Sequence, residues 1–306
     1  MNGRLGSTLG GGASGGHPTS LSELRWARAL PINEMTGLRL LINKYRHVFG
    51  MGVQGALVYR WNFLIRAVFS VLQLIVVLIL WLAAYRGKET IGGFPLDQTI
   101  TYFLLALVAN YLIAAFNEDF QVSEEIRNGL INQFITKPID YFVYRLMLFF
   151  AGRLVSGLLV LIPIAILLPF TYHYLTLPDE AWRWAAAVPA LFMSAVIQFT
   201  IAFCFGLLAF WFLDIAGWVI LSMAIESLLS GQIFPLDLLP DSLFRISMYL
   251  PFTYQMYFPV ALISGRLDQP QVMEGLVIQV FWTISLILAA RALWIRGLRK
   301  HTAVGG

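Results

Sequence analysis

Long apolar runs, separated by short polar segments, organise most of this 306-residue chain. Five of them reach the roughly 20 apolar residues that a membrane-spanning helix needs; they cover residues 63–85, 98–116, 147–170, 185–213 and 275–296. A sixth run, 215–234, is apolar except for Glu226. Because the runs lack the alternation of barrel strands, the pattern predicts an all-α integral membrane protein with six transmembrane helices.

The basic residues predict the orientation of these spans. If the N-terminus is cytoplasmic, six spans place 16 of the 21 Lys and Arg residues on the cytoplasmic side, where such residues are enriched. A seventh span after Arg245 would move the basic C-terminus outside, and Pro251 and Pro259 would interrupt it. We therefore expect both termini to be cytoplasmic, in a chain of the cytoplasmic (inner) membrane, and an outer re-entrant segment of short helices over 231–272.

Composition supports a lipid environment and defines the ends of the chain. Charged residues make up 12% of the chain, against about a quarter in soluble domains. The net charge of +4 needs no nucleic acid, and membrane lipid is the expected surrounding. Residues 1–20 are expected to form a flexible Gly/Ser-rich tail, residues 21–62 cytoplasmic or interfacial helices, residues 63–300 the six-span domain, and residues 301–306 a short tail.

The stretch before the first span is amphipathic. Apolar side chains recur at helical spacing, while Arg39, Lys44 and Arg46 occupy other faces. The pattern favours an N-terminal helix lying on the cytoplasmic leaflet; a helix buried against the chain's own loops is the alternative. The apolar positions are Leu38, Leu41, Tyr45, Val48, Phe49 and Val53.

The loop 117–146 between the second and third spans predicts an amphipathic helix over 123–137. Ser123 can cap it, Glu124 and Glu125 suit its first turn, and Pro138 would end it. Its apolar stripe would pack either on a partner protein or on the chain's own interfacial helix. The stripe consists of Ile126, Leu130 and Phe134.

Two segments carry a resemblance to a known family. The loop EEIRNGLINQFITKPIDYFVYRL, residues 124–146, resembles the coupling-helix region of the permease subunits of type-2 ABC exporters. The segment SGQIFPLDLLPDSLFRISMYLPFTY, residues 230–254, resembles their outer re-entrant helices. Together with the six spans, the resemblance covers about residues 35–300, and the Gly-rich tail lies outside it.

The resemblance implies a transmembrane subunit that moves a substrate outward by alternating access, driven by separate ATPase subunits. Two ATPases would bind ATP and Mg²⁺, and a second permease, the same or a related chain, would complete the complex. The ATPase contact is expected at Glu124, Glu125, Ile126, Arg127, Leu130 and Phe134. An outer gate or dimer contact is expected at Phe234, Pro235, Leu236, Leu239 and Pro240.

The sequence itself offers little catalytic chemistry. It contains no G-x-x-x-x-G-K-[ST] phosphate-binding loop, so this chain is not expected to hydrolyse ATP alone or to hold a cofactor. Its four histidines and single cysteine are scattered, which predicts no metal site. The acidic residues Glu118, Asp119, Glu124 and Glu125 leave a second class open, a membrane enzyme that binds Mg²⁺ and a diphosphate.

Glu226, about 11 residues into the fifth predicted span, is the remaining candidate for function. An ionisable group at such a depth is costly to bury. It could line the translocation path with Asn110 and contact a cationic or polar substrate, serve as the proton site of an ion-coupled secondary transporter, or be a structural acid near the outer mouth. The many apolar and aromatic residues of the spans are compatible with a hydrophobic or amphipathic substrate.

Overall fold

The computed structural model describes residues 34–58, 60–115, 117–135 and 137–304. It is helical apart from one two-stranded hairpin. The elements are α1 Glu34–Val58, α2 Arg60–Ala84, β1 Thr90–Ile91, β2 Phe94–Pro95, α3 Leu96–Ile113, α4 Glu118–Arg127, α5 Asn132–Ile135, α6 Tyr141–Leu159, α7 Leu161–Thr171, α8 Ala181–Leu207, α9 Ala216–Leu229, α10 Asp241–Ser247, α11 Tyr257–Ile263 and α12 Gln269–Val304. The Gly/Ser-rich tail and residues 21–33 lie outside the described residues.

The described residues contain five stretches that are long and apolar enough to cross a membrane. They are Ala67–Ala84, Leu96–Arg127, Tyr141–Tyr174, Ala181–Phe210 and Gln269–Lys300. The predicted fifth span, the run 215–234, corresponds to the shorter apolar helix α9, whose 14 residues extend about 21 Å at 1.5 Å per residue. The all-α membrane architecture predicted from the apolar runs is confirmed.

The third predicted span begins before its apolar run and is interrupted. Asp140 caps α6 by accepting a hydrogen bond from the backbone N–H of Val143 at 2.9 Å, so the helix starts at Tyr141 rather than near residue 147. It ends at Leu159, and α7 continues the run with Pro163 in its first turn. A proline lacks the N–H that an uninterrupted helix would use, and the first turn is where this loss is tolerated.

Residues up to Lys44 and residues from Tyr45 onward form two units. The described part of the first unit is the start of α1, Glu34–Val58, which contains the apolar positions from Leu38 to Val53 that the sequence predicts to be helical. In the second unit, Val48 is buried, and Gly52 lies so close to Ala151 of α6 that an added Cβ would be 2.7 Å from the alanine Cβ. This part of α1 therefore packs against the chain's own third span.

Much of the packing between helices of the second unit involves α8. This helix contacts α3, α4, α11 and α12. Small side chains on it permit close approach: Ala190 and Ser194 are fully buried, and Gly206 lies where a Cβ would clash with Val122 of α4. The arrangement makes α8 the central element against which the other spans and the short helices pack.

The connecting segments gather in two groups. At one, called here the hairpin end, Tyr102 donates a hydrogen bond to the carbonyl of Gly231, and Arg183 to that of Leu267. At the other, called the α4 end, Arg127 of α4 donates to the carbonyl of Leu213 at 2.8 Å. The hairpin-end contacts involve segments that the charge distribution predicts to lie outside, and the α4-end contact joins two segments that it predicts to lie inside.

The segment between α9 and α12 consists of short helices, as its prolines predict. Gly231 lies two residues after the end of α9 and has φ +80°. An added Cβ there would be 2.7 Å from the Tyr102 hydroxyl, so only glycine fits. The seven residues of α11 are all buried. Tyr254, Tyr257 and Phe258, which suit a headgroup boundary by composition, instead lie in the protein core.

Candidate functional site

A polar-lined cavity lies among α3, α8, α9 and the residues that precede α11. Its volume is about 250 Å³, and the N-terminal part of α4 closes one side through Asp119 and Phe120. Glu226 of α9 and Asn110 of α3, the two residues predicted to share a path, both line it. The fold thus brings together two side chains that are more than one hundred positions apart in the sequence.

The Glu226 carboxyl lies beside two side-chain amides. Gln198 of α8 and Gln255 are its polar neighbours. The Oε1 atom of Glu226 and both amide atoms of Gln255 are nevertheless buried without a hydrogen-bond partner from the protein. Buried polar groups are nearly always paired, and of the eight unpaired side-chain atoms among the described residues three converge on this cavity.

Gln279 of α12 is a buried amide whose nitrogen is fully engaged, although its Oε1 atom has no hydrogen-bond partner. Its Nε2 donates to the carbonyls of Ala190 and Tyr254 and lies 3.0 Å from the Ser194 hydroxyl. These bonds connect α12 to α8 and fix the backbone next to Gln255. Gln279 is therefore the interhelical hydrogen-bond group that polar residues in spans commonly are.

At the α4 end, a buried arginine holds α4 against α6. Arg145 forms ion pairs with Glu118 at 2.6 Å and Glu125 at 3.1 Å, and donates to the amide oxygen of Gln121 at 2.8 Å. The three acceptors follow one face of α4 at helical spacing. Tyr141 donates to Glu125 from the first residue of α6. One face of α4 is thereby fixed.

The predicted helix over 123–137 is wrong in its extent. Helix α4 begins five residues earlier, so Ser123 is a buried mid-helix residue rather than a cap. It ends at Arg127, because Asn128 and Gly129 form its C-terminus, with Gly129 at φ +69°. Asn-Gly is a common helix stop, and this signal, not Pro138, terminates the helix. The short helix α5 follows.

The six predicted ATPase-contact residues consequently occupy different environments. Glu124, Arg127 and Leu130 are exposed. Ile126 is buried in the core, Glu125 is half-buried in the Arg145 network, and Phe134 of α5 packs on Tyr141 and Tyr144. The expected continuous apolar stripe is therefore divided between the interior and the surface.

The five residues predicted for an outer gate or dimer contact also separate. Pro235 and Leu236 are buried, Phe234 and Leu239 are half-buried, and Pro240 is exposed. Asp237, which follows Leu236, pairs with Arg266 at 2.7 Å and accepts a hydrogen bond from Tyr257. This polar cluster joins the segment to the hairpin end of α3 through Thr99.

Sequence reasoning missed Gln255 and Arg145. Gln255 lies in the proline-interrupted segment, where no helical register indicates which side chains face inward. Arg145 has a usable signal, because Glu118, Gln121 and Glu125 are spaced on one helical face and need a basic partner. Within the described ranges no group of three or more His, Cys, Asp or Glu residues could hold a metal ion.

Comparison with known proteins agrees with the architecture. A family model described as "ABC-2 family transporter protein" matches residues 71–305, which include α3 to α12 and both segments that carry the resemblance. A search of curated proteins found no match. Because the match covers most of the chain, this integral membrane protein belongs to the ABC-2 family of transporter proteins, as a permease component of an ABC transporter.

Proposed function

We propose that this chain is the permease subunit of an ATP-driven exporter and that separate ATPase subunits dock at its α4 end. The observation that carries the proposal is the two-sided environment of α4. Its inner face is fixed by the Arg145 network and by α8, whereas Glu124, Arg127 and the following Leu130 are exposed. A docking element needs this combination of rigid attachment and free surface.

Leu130 is the best candidate for an apolar anchor. It is 49% exposed in the turn after α4, next to the exposed charges of Glu124 and Arg127. A partly exposed aliphatic side chain ringed by polar groups is typical of a protein–protein contact. Lipid contact would not favour the charged neighbours, so a protein partner suits this surface better.

The remaining assignments follow from the sequence and from family membership. Since the chain has no phosphate-binding loop, ATP and Mg²⁺ would be bound by two partner ATPases. A second permease, the same or a related chain, would complete the pathway. The basic residues favour a cytoplasmic α4 end in the cytoplasmic membrane, and hence outward movement of a hydrophobic or amphipathic substrate by alternating access.

The direct test is gentle purification of the tagged full-length chain from its native membrane, followed by identification of what co-purifies. We expect a stoichiometric P-loop ATPase, and any second permease would reveal the pairing. A chain that is isolated alone and transports without ATP would contradict the proposal. In that case an ion-coupled carrier that uses Glu226 would be the better description.

Leu130→Asp tests the docking surface itself. Placing a charge at an apolar anchor should reduce the co-purified ATPase by about tenfold or more, because anchor residues dominate such interfaces. Leu243→Asp is the matched control, since Leu243 is 51% exposed on α10 at the hairpin end. If both variants retain the ATPase equally, α4 and the turn after it are not the docking site.

A further inference from the structure

The cavity has an acidic character that the docking proposal does not explain. Two carboxylates line it, Glu226 from α9 and Asp119 from α4. Among the described residues in its wall, none is Lys, Arg or His. The nearby Arg153 reaches the backbone carbonyl of Ala114 and is engaged there behind the wall. The space therefore favours positive charge over negative charge.

Unused hydrogen-bonding capacity points to a ligand in this space. Gln255 is only 1% exposed, lines the cavity, and has no protein partner for either amide atom. Oε1 of Glu226 is likewise buried and unpaired. Leaving such groups without partners is costly, and each one in a native structure calls for a function. A bound ammonium group would donate to Oε1 of Glu226 and to the amide oxygen of Gln255, and an acceptor atom elsewhere on a ligand would pair with Nε2.

The rest of the wall is apolar. Ile113 of α3, Ile201 of α8, and Met223 with Val219 of α9 contribute hydrocarbon and thioether surface. Methionine is flexible and polarisable, so it adapts to ligands of differing shape. A bare metal ion gains nothing from such a surface, whereas an organic molecule with a hydrocarbon part does.

We propose that this cavity binds a small amphipathic organic cation, with its charged group against Glu226 and Gln255 and its hydrocarbon part against the aliphatic and methionine side chains. The volume of about 250 Å³ accommodates one small organic molecule. This assignment rests on the proposed transport function, for which it names the substrate class. Asp119 adds a second attractive charge from the α4 side.

Binding to the purified full-length chain in nanodiscs of neutral lipid tests the proposal. The probe is benzylammonium, whose N–H groups can donate to Glu226 and Gln255, and benzenesulfonate, an anion of similar size, is its counterpart; titration calorimetry measures both. We expect saturable binding of the cation and none of the anion. Glu226→Gln should weaken cation binding about tenfold, because a charge-assisted contact becomes a neutral one. Equal binding of both ions would overturn the proposal.

A matched control separates site binding from general electrostatics. Glu274 is an exposed acid near the start of α12, and Glu274→Gln removes the same charge without touching the cavity. Cation affinity should be unchanged in this variant. If Glu274→Gln and Glu226→Gln weaken binding equally, the probe responds to the net charge of the protein, and the cavity assignment is wrong.

Gln255→Leu provides a second test in case Glu226→Gln misfolds. Because the amide is buried and unpaired, an apolar residue of similar size should leave the thermal midpoint unchanged or raise it. Cation affinity should nevertheless fall severalfold. A variant that remains folded and keeps full affinity would contradict the role assigned to Gln255.

The outcome is independent of the ATPase partner. Benzylammonium binding needs only this chain, whereas the docking proposal is tested by co-purification. Cation binding without a co-purified ATPase would refute the exporter proposal alone. A co-purified ATPase with no cation binding would refute the substrate class alone.

Discussion

The second unit contains two buried arginines, one at the hairpin end and one at the α4 end, and they join different numbers of segments. Arg266 at the hairpin end has a side chain that is 1% exposed, with its guanidinium 3.9 Å from the ring centroid of Phe94 and 4.9 Å from that of Tyr102. It pairs with Asp237 and reaches Thr99. One cation thereby joins the β-hairpin, α3, the turn at 236–238 and the start of α12.

Arg145 at the α4 end joins only two helices. Its partners Glu118 and Glu125 are 12% and 22% exposed, close to the 14% of Asp237, so the two ends differ in how many segments the arginine joins rather than in the exposure of its acids. Arg266 is thus a permanent part of the core, whereas Arg145 holds a helix whose other face is free. Similar ion pairs can therefore join several segments at one end of a bundle, and at the other end attach a single helix that keeps an exposed surface.

Removing Arg266 should produce the largest change in stability. Arg266→Leu leaves Asp237 buried without its partner, which we expect to lower the free energy of unfolding by about 3–5 kcal/mol. The measurement is reversible unfolding of the purified chain in mixed micelles. Arg245→Leu is the control, because Arg245 is exposed on α10 at the same end. Equal effects of the two substitutions would show that Arg266 does not close this end.

The double variant Arg266→Leu with Asp237→Leu sharpens the same point. Removing both charges eliminates the unpaired ion, so the double variant should lower the free energy of unfolding less than Arg266→Leu alone does. The same unfolding measurement gives the coupling energy. If the two effects simply add, the Arg266 side chain contributes through its packing on Phe94 and Tyr102 rather than through Asp237.

Removing Arg145 should have a smaller and more local effect. Arg145→Leu releases one helix, α4, from α6 while the packing of α4 on α8 remains, and we expect a loss of about 2–3 kcal/mol. Hydrogen exchange should accelerate in Glu118–Arg127 and stay unchanged in Tyr257–Ile263, whereas Arg266→Leu should accelerate exchange in both. Uniform acceleration in Arg145→Leu would remove the distinction between the two ends.

Tyr141→Phe should give the smallest effect. The substitution removes one hydrogen bond to Glu125, while Arg145 continues to pair with that carboxylate. We expect a loss of about 1–2 kcal/mol, the range for a hydrogen bond to a charged group. Tyr144→Phe, in the next turn, is the control. A larger loss than in Arg145→Leu would show that Tyr141, not Arg145, fixes α4.

The apolar runs predicted the spans well because lipid imposes one dominant requirement on sequence. Helices α2, α3, α8 and α12 lie where the runs are. Errors arose where a local signal opposed the run: Asn128-Gly129 divides the loop helix, and Gly231 shortens α9. Gly129 and Gly231 have a left-handed backbone conformation, for which hydrophobic periodicity gives no signal.

The candidate site was only half predictable. Glu226 and Asn110 are conspicuous because polar side chains are rare in spans. Gln255 is not, since it lies in a proline-interrupted segment with no helical register, and Asp119 stands out only as a possible Mg²⁺ ligand. Only the packing of α4 and of residues 251–256 beside α8 brings them to the same cavity. Such convergence depends on long-range contacts that no local pattern encodes.

Helix α4 bears Asp119 and Phe120 in the cavity wall and Glu124 and Arg127 on the open surface, all within ten residues. Under the docking and cavity proposals, substrate selectivity and partner recognition are therefore not separable in this protein, because one helix serves both. Exchanging Glu118–Arg127 with the corresponding piece of a relative would transplant part of the cavity along with the surface. Over evolutionary time, a change of partner at this helix would restrict which substrates the cavity can bind.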